Sequence, residues 1–461
     1  MMNQGSPASH SEAPRSAAVI GLGYVGLPLA LLLVEKGFVV YGIDVDERKV
    51  NRLISRSSYL PDVRDDQIAA AMDSGRFHPG TEMAKAGEGD AVIICVPTPL
   101  TSYHTPDLSY LQSAARSVGE HLRQGQTIIL ESSTYPGTTR EVLVPMLEQT
   151  SGLRAGKDFH VGYSPERIDP GNSRYTVEQI PKLVSGLTVG CAERVEEIYS
   201  RVFQRIVLVS RLEIAEMAKI VENSHRLVNI SFVNELAWIC EKMDIDVWEV
   251  IDAAATKPFG FTAYYPGPGI GGHCIPVDPL YLQWKAKAYG AESRFIALSD
   301  QLNRSIPQLV ADKVFELLRA SDEKGQTGET ARQPLIVIYG VAYKKNVNDV
   351  REAPALELIE ILTSRGAAVV YHDPYVDRIE VSGHRFSSVE LTDDLLQAAD
   401  CVIILTDHTG IPAERIVRNA RLVVDTRNAT AGVSDSAGHV YRLGSGMKGW
   451  KGSKGWKGVA P

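Results

Sequence analysis

The sequence predicts an α/β protein: two doubly wound units joined by a helical segment that contains one long connecting helix. Three observations carry this. Short β-rich runs alternate with helical patterns up to about residue 210. The alternation resumes at Leu335. Between the two stretches, residues 213–243 contain no Gly or Pro and read as one continuous helix. Strands alternating with helices pack as a parallel sheet covered on both faces. A chain of 461 residues is also too long for a single core.

Residues 1–16 are rich in Ser, Ala and Pro and are expected to form a disordered tail. An N-terminal domain then spans 17–210, with strands at 17–20, 39–43, 91–96, 127–131 and 206–209 and helices near 27–35, 108–123 and 138–148. A helix of roughly 30 residues spans about 45 Å, which suits a connector and a dimer surface better than one globular domain. Further helix at 247–255 and 294–318 completes a helical central domain over 211–320. Residues 321–333 are polar, carry Gly325 and Gly328, and read as a linker. A second α/β domain covers 334–436, with strands at 335–339, 368–371, 401–405 and 422–424 and a helix near 355–364. From 437 the chain becomes low-complexity, and Lys-Gly-Trp-Lys-Gly recurs at 448–452 and 454–458. Composition makes 437–461 a disordered basic tail; binding to an anionic surface or partner is the other reading.

The formal net charge of -8 argues against a nucleic-acid partner. It leaves room for an anionic ligand held by local cations and helix N-termini. The five cysteines, Cys95, Cys191, Cys240, Cys274 and Cys401, form no C-x-x-C pair. Neither a disulfide framework nor a metal site is expected, and a reducing cytoplasm is. Residues 17–34 lack charge, but their glycines and Pro28 fit a strand–turn–helix better than a membrane span or signal peptide, so no membrane insertion is expected.

Gly21, Gly23 and Gly26, with Tyr24 and Val25 among them, form G-x-G-x-x-G directly after the first strand. Such glycines allow a tight turn, close approach of backbone to a pyrophosphate, and close helix–sheet packing. The second strand ends at Asp44, where an acid would bond the adenosine ribose diol. This points to a Rossmann-like dinucleotide domain. An acid there repels a 2′-phosphate, so NAD is expected over NADP, although Arg48 lies close by and works against that argument.

Residues 264–279 hold four glycines and four prolines and show no regular periodicity. A cysteine in such a loop, Cys274, is poor core filler, and exposed backbone N–H groups could stabilise its thiolate. Cys95, Cys240 and Cys401 lie in apolar strand or helix runs and read as packing. Asp278 follows Cys274 by four residues. Lys219 and Asn223 are i, i+4 on the long helix and share a face, which from spacing alone reads as solvated. Glu166 alone reads as a surface acid. Tyr281 and Lys285 imitate the Y-x-x-x-K pair of short-chain dehydrogenases, but lie outside the glycine-motif domain; Tyr281 is expected to pack in an amphipathic helix.

Several stretches together resemble the UDP-sugar 6-dehydrogenase family over nearly the whole chain. They are the glycine motif running into Leu27-Pro28, Val96-Pro-Thr-Pro99, Glu131-Ser-Ser-Thr-Tyr-Pro-Gly-Thr138, Tyr163-Ser-Pro-Glu-Arg167, Gly267-Pro-Gly-Ile-Gly-Gly-His-Cys-Ile-Pro-Val-Asp278, Tyr343-Lys-Lys-Asn-Val-Asn-Asp-Val-Arg351 and Val423-Val-Asp-Thr-Arg427. Asp169-Pro-Gly-Asn172 and residues 253–261 resemble the bacterial UDP-N-acetyl-D-glucosamine branch, which serves surface polysaccharide synthesis, and His273 stands where UDP-glucose dehydrogenases have Ser. The resemblance implies Cys274 as nucleophile, Lys219 and Asn223 as oxyanion donors, Asp278 in proton transfer, Glu166 as base for thioester hydrolysis and Thr134 as holder of the water. It implies NAD contacts from the glycine motif, Asp44, Arg48, Pro97, Thr98, Ser133, Thr134 and Arg351. The UDP-sugar would meet Glu166, Arg167, Lys219, Asn223, Tyr264, Tyr265, Gly271, Lys344 and Arg427.

Two NAD⁺ per UDP-sugar would be consumed, with no metal, in a homodimer or higher homo-oligomer formed through the central helices. UDP-N-acetylgalactosamine, UDP-N-acetylmannosamine and UDP-glucose are the rival substrates. A two-electron hydroxyacid dehydrogenase is the rival reaction, and it has no need of Cys274. A non-catalytic NAD-binding regulator is the rival class.

Overall fold

A computed structural model describes residues 15–101, 103–167, 175–322, 333–434 and 438–446. The stretches read as terminal tails and linker fall mostly outside these residues, as does Asp169-Pro-Gly-Asn172. The chain divides into two compact units, Met1–Val221 and Glu222–Pro461.

The first unit contains β1 (Ser16–Ile20), α1 (Gly26–Glu35), β2 (Val39–Ile43), α2 (Glu47–Ile54), α3 (Asp65–Asp73), β3 (Phe77–Gly80), β4 (Ala91–Ile94), α4 (Ser109–Glu120), β5 (Thr127–Leu130), α5 (Val144–Ser151), β6 (His160–Tyr163), β7 (Lys182–Gly186), α6 (Val189–Tyr199) and β8 (Ile206–Leu208). Its eight strands run in the order β3-β2-β1-β4-β5-β6-β7-β8. All pairs are parallel except β6 with β7, a departure from the uniformly parallel sheet expected. β1 shows why these strands are continuously apolar: Ala17 and Val19 enter one core, Ala18 and Ile20 the other. A sheet buried on both faces needs apolar side chains at every position. The strand order reverses between β1 and β4, so the ligand crevice lies at their carboxyl ends.

α7 (Leu212–Lys242) spans the boundary between the units. The second unit continues with α8 (Val247–Ala255), α9 (Asp278–Lys287), α10 (Arg294–Asp322), β9 (Leu335–Tyr339), α11 (Pro354–Ser364), β10 (Ala368–His372), the hairpin β11 (Arg378–Val381) and β12 (His384–Ser387), α12 (Asp393–Ala398), β13 (Cys401–Ile404), α13 (Ala413–Asn419), β14 (Val423–Asp425) and β15 (Val440–Arg442). Its sheet, β10-β9-β13-β14-β15, is parallel throughout. The helices α8–α10 belong to the same compact unit as this sheet.

β1 begins at Ser16, one residue inside the stretch read as tail. β15 is the larger correction, because composition assigned everything after 436 to a tail. Tyr441 is buried, and its hydroxyl donates to Glu241 on α7. The Lys313 ammonium pairs with Glu241 at 2.8 Å and lies 5.5 Å from the Tyr441 ring centre. The next residues turn back onto α8. The Val247 N–H donates to Gly444 O at 2.8 Å, and Trp248 Nε1 to Leu443 O at 2.8 Å. Three strand residues set among Gly and Ser are too few to show a period, yet one buried aromatic anchors them.

Candidate active site

The first unit builds a dinucleotide cradle. A Cβ on Gly26 would lie 1.8 Å from Gly21 O, so only glycine lets α1 start this close to β1. A Cβ on Gly23 would meet nothing within 4 Å, which leaves that face of the turn open to a ligand. Val25 caps α1, whose positive end suits a pyrophosphate. Asp44 is buried at the end of β2, its carboxylate accepting from Leu22 N at 2.9 Å and Asp46 N at 2.9 Å. It also meets Lys49 Nζ at 3.0 Å, a cation that the motif does not disclose. Arg48 turns away: its guanidinium is solvated and holds Asp46 at 2.9 Å. Thr98 Oγ1 donates to Ser133 O at 2.7 Å, tying the loops after β4 and β5 together beside exposed Pro97. An open glycine turn, a helix N-terminus and an oriented carboxylate fit NAD.

Beyond β5 and β6 lies a buried ionic cluster. Glu166 is 8% exposed, and its carboxylate accepts from Arg167 N. Arg167 Nη1 donates to Pro181 O at 2.9 Å. Lys182 Nζ stands 2.7 Å from Glu131 and 3.6 Å from Glu166. Burial pushes the Glu131 pKa up against the pull of Lys182. Burial also opposes the Lys182 charge, but Glu131 and Glu166 more than offset it, so its pKa ends above the usual lysine value. Three residues after Glu131, the buried Thr134 Oγ1 has no hydrogen-bond partner among the described residues. Glu216 on α7 holds the following turn, accepting from Thr139 N at 2.9 Å and Thr139 Oγ1 at 2.7 Å.

Lys219 is 7% and Asn223 4% exposed, so the solvated face inferred from their spacing is wrong. Helical period shows which residues share a face, not what covers it. In the second unit Asn223 Nδ2 donates to Asp278 Oδ2 at 2.6 Å, and Asp278 is wholly buried at the start of α9. Asp278 N donates to Cys274 O at 2.9 Å, and Cys274 is exposed while Cys95, Cys240 and Cys401 are buried. The loop is held from two helices: Gly267 N donates to Asn234 Oδ1 at 2.8 Å, and Ile270 N to Asn303 Oδ1 at 2.6 Å.

The loop also lies against the second sheet's connections. Gly272 has φ +85°, its N–H donates to Arg351 O at 2.9 Å, and a Cβ there would meet the Tyr343 ring at 2.7 Å. A Cβ on Gly271 would meet Glu352 O at 2.6 Å. Arg427 Nη1 would be 2.7 Å from a Cβ on Gly267. Burial lowers the Arg427 pKa, partly offset by Asp407 and Asp425. Lys344 lies over the Tyr343 ring at 5.8 Å, and Arg351 grips Asp349 at 2.6 Å. Tyr264 OH meets His225 Nδ1 at 3.2 Å. Tyr265 stacks on Trp248 at 5.8 Å and donates to Asp252 at 2.8 Å, so its ring and hydroxyl are both engaged within the protein. Tyr281 is wholly buried in α9 and packs as expected, although the buried residues there are the consecutive Asp278, Pro279, Leu280 and Tyr281 rather than one amphipathic face.

Three domain profiles match in order: the NAD binding domain of the UDP-glucose/GDP-mannose dehydrogenase family at residues 15–203, its central domain at 213–305 and its UDP binding domain at 337–432. The chain belongs to the UDP-glucose/GDP-mannose dehydrogenase family. Protein CapL of Staphylococcus aureus is 37% identical over 86% of this chain and 90% of its own. UDP-N-acetyl-D-glucosamine 6-dehydrogenase of Salmonella typhi is 34% identical over 85% and 89%. The solved structure of a UDP-D-ManNAc dehydrogenase from Pyrococcus horikoshii superposes with a TM-score of 0.83 at 30% identity, covering 93% of this chain and 99% of that one. Like other members of the dehydrogenase family, the chain has an N-terminal NAD domain and a C-terminal UDP domain, and uses NAD.

Sequence reasoning assigned no role to Lys49, Glu131, Lys182, Asn234 or Asn303. Asn234 left a trace: it lies eleven residues after Asn223 on α7, which returns it to nearly the same helical face.

Proposed function

We propose that this dehydrogenase oxidises the C6 hydroxyl of a UDP-N-acetylhexosamine to the carboxylate, with UDP-N-acetyl-D-glucosamine as preferred substrate and two NAD⁺ consumed per turnover. The supporting observation is Cys274: an exposed thiol on a loop that Asn234 and Asn303 hold and that packs against Arg427 of the UDP domain. A two-electron alcohol oxidation has no use for such a thiol.

Bound NAD⁺ supplies the hydride acceptor for both oxidations. The C6 alcohol first loses a proton and a hydride to become the aldehyde. Cys274 Sγ adds to the aldehyde carbon, and the resulting thiohemiacetal loses its hydroxyl proton and a second hydride to leave a thioester. Lys219 and Asn223 donate to the oxyanions that form on the way. Asp278 orients the Asn223 amide and, with Lys219 and water, carries protons away. Thr134 holds the hydrolytic water and Glu166 takes its proton. The C–S bond breaks, Cys274 recovers its proton, and the acid leaves.

The sugar preference rests on the sequence resemblance and on the name of the Salmonella relative; the name of the Pyrococcus relative favours UDP-N-acetylmannosamine as the second reading. The product would serve bacterial surface polysaccharide synthesis in the cytoplasm. Exposed Phe232 and Ile239 on α7, with Met243 just after it, support a homo-oligomer. Among the described residues no helix is long and apolar enough to cross a membrane.

The test is a panel of UDP-sugars with NADH counted per sugar consumed. We expect about two NADH, as the thiol route requires, and a product one oxygen heavier and two hydrogens lighter. One NADH with a stable aldehyde would refute the four-electron reading. Fastest turnover of another UDP-N-acetylhexosamine would reassign the sugar alone.

A further inference from the structure

The first unit buries more charge than the proposed chemistry uses. Lys182 on β7 places its ammonium 2.7 Å from Glu131 Oε2 and 3.6 Å from Glu166 Oε2, within 3.5 Å of Pro165 O. The rings of Tyr199 and Phe203 flank it, with centres at 5.4 and 5.0 Å. Tyr199 on α6 donates its hydroxyl to the other oxygen of Glu131. Among the described residues Cys95, after β4, is a further titratable neighbour, and Arg167 Nη1 donates to Pro181 O. All three charged members are buried.

Such an arrangement is a poor device for stability, because well-packed apolar residues often do as well as a buried ion pair. Its geometry suits a different task. One ammonium is shared by two carboxylates, so they cannot both be fully compensated. Whichever holds its charge less firmly leaves more of Lys182 to the other. Tyr199 and the apolar walls enclose Glu131, and burial works against its charge while Lys182 holds it. Glu131 directly follows β5, three residues before Thr134, and Glu166 follows β6. Lys182 therefore ties together the two strand ends that carry the water-holding hydroxyl and the base.

We propose that Lys182, shared between Glu131 and Glu166, is a positioning residue that holds the Glu166 carboxylate beside a fixed cation and aims it at the hydrolytic water. Glu131 is the counter-charge that sets how much of the ammonium Glu166 receives. This rests on the reading of Glu166 as the base. When Glu166 takes the proton of water, the water oxygen bonds to the acyl carbon, the C–S bond breaks and its electron pair returns to Cys274 Sγ. Lys182 is then left to Glu131 alone, and the cluster gains no uncompensated cation.

The experiment follows NADH from UDP-N-acetylglucosamine in rapid mixing across pH. The burst reports thioester formation and the steady phase its hydrolysis. In Lys182→Met two carboxylates face each other with no cation and hold a proton between them. The acid limb of the steady phase should move up by about one pH unit or more, with the burst retained and an adduct on Cys274 in intact-protein mass. In Glu131→Gln the ammonium belongs wholly to Glu166, and the acid limb should move down. Opposite shifts are the expected result; a merely structural pair would move neither limb. Unshifted limbs, or shifts of one sign, overturn the proposal. If Lys182→Met does not fold, Glu131→Gln decides alone: a downward shift supports the proposal and an unmoved limb refutes it. Glu166→Gln tests the underlying reading separately. Full turnover with no Cys274 adduct there would remove the base assignment itself.

Discussion

Asn223→Ala tests how far one buried amide supports both stability and rate. The native amide donates to Asp278 at 2.6 Å, and the two residues are 4% and 0% exposed. Removal strands a buried carboxylate oxygen without that donor. Hydrogen bonds to charged groups contribute about 1.5–3 kcal/mol, so the second unit should lose that much. If the same amide also donates to the oxyanion, the rate falls separately, by about 2.7–4 kcal/mol or roughly 100- to 1000-fold in kcat. The two effects can be read apart. Among the described residues the tryptophans, Trp238, Trp248 and Trp284, all lie in the second unit, so the change in tryptophan fluorescence in urea follows that unit. NADH release under conditions where the variant is fully folded gives the rate. Near-wild-type kcat with the stability loss intact would make Asn223 a prop for Asp278 and nothing more. Unchanged stability would refute the geometric argument itself.

Three further outcomes are expected. Gly26→Ala should abolish NAD binding by calorimetry, because its Cβ would overlap Gly21 O at 1.8 Å; wild-type affinity would mean that the turn can open freely. Cys274→Ala should remain folded and bind NAD yet form no acid, whereas Cys274→Ser should slow release of an ester visible by intact mass; acid formation by the alanine variant would end the thiol mechanism. Tyr441→Ala should cost about 3–5 kcal/mol in urea unfolding, as large buried aromatics do, where a tail residue would cost under about 0.5 kcal/mol.

Much of the fold was legible because its signals are local. The run of apolar residues in β1, the glycines that follow and the thirty-odd positions of α7 without Gly or Pro each announce an element without help from elsewhere. Short edge elements announced little. β3 reads Phe77-His-Pro-Gly80 and β15 only Val440-Tyr-Arg442, too brief for a period and built partly from turn residues. Cys274 stood out because its loop has no packing rationale. Lys182 did not: it lies 51 residues from Glu131, and they meet because β7 and β5 lie on either side of β6. Sheet order is a long-range outcome, so a pair that depends on it has no signature along the chain. The burial of Lys219 and Asn223 was hidden for the same reason.

The return of β15 onto α8 imposes an order of assembly during synthesis. The sheet of the first unit is complete once Leu208 has left the ribosome, so the NAD half can close early. The second unit cannot. Trp248 waits 195 residues for Leu443, and Glu241 waits 200 for Tyr441. Contacts this distant form late and slowly. The helices that hold the cysteine loop therefore lack their final support until translation is nearly finished. A ribosome stalled before residue 440 should display a chain that captures NAD but whose cysteine loop is not yet firmly seated, so the setting of the Cys274 thiol is among the last features to mature.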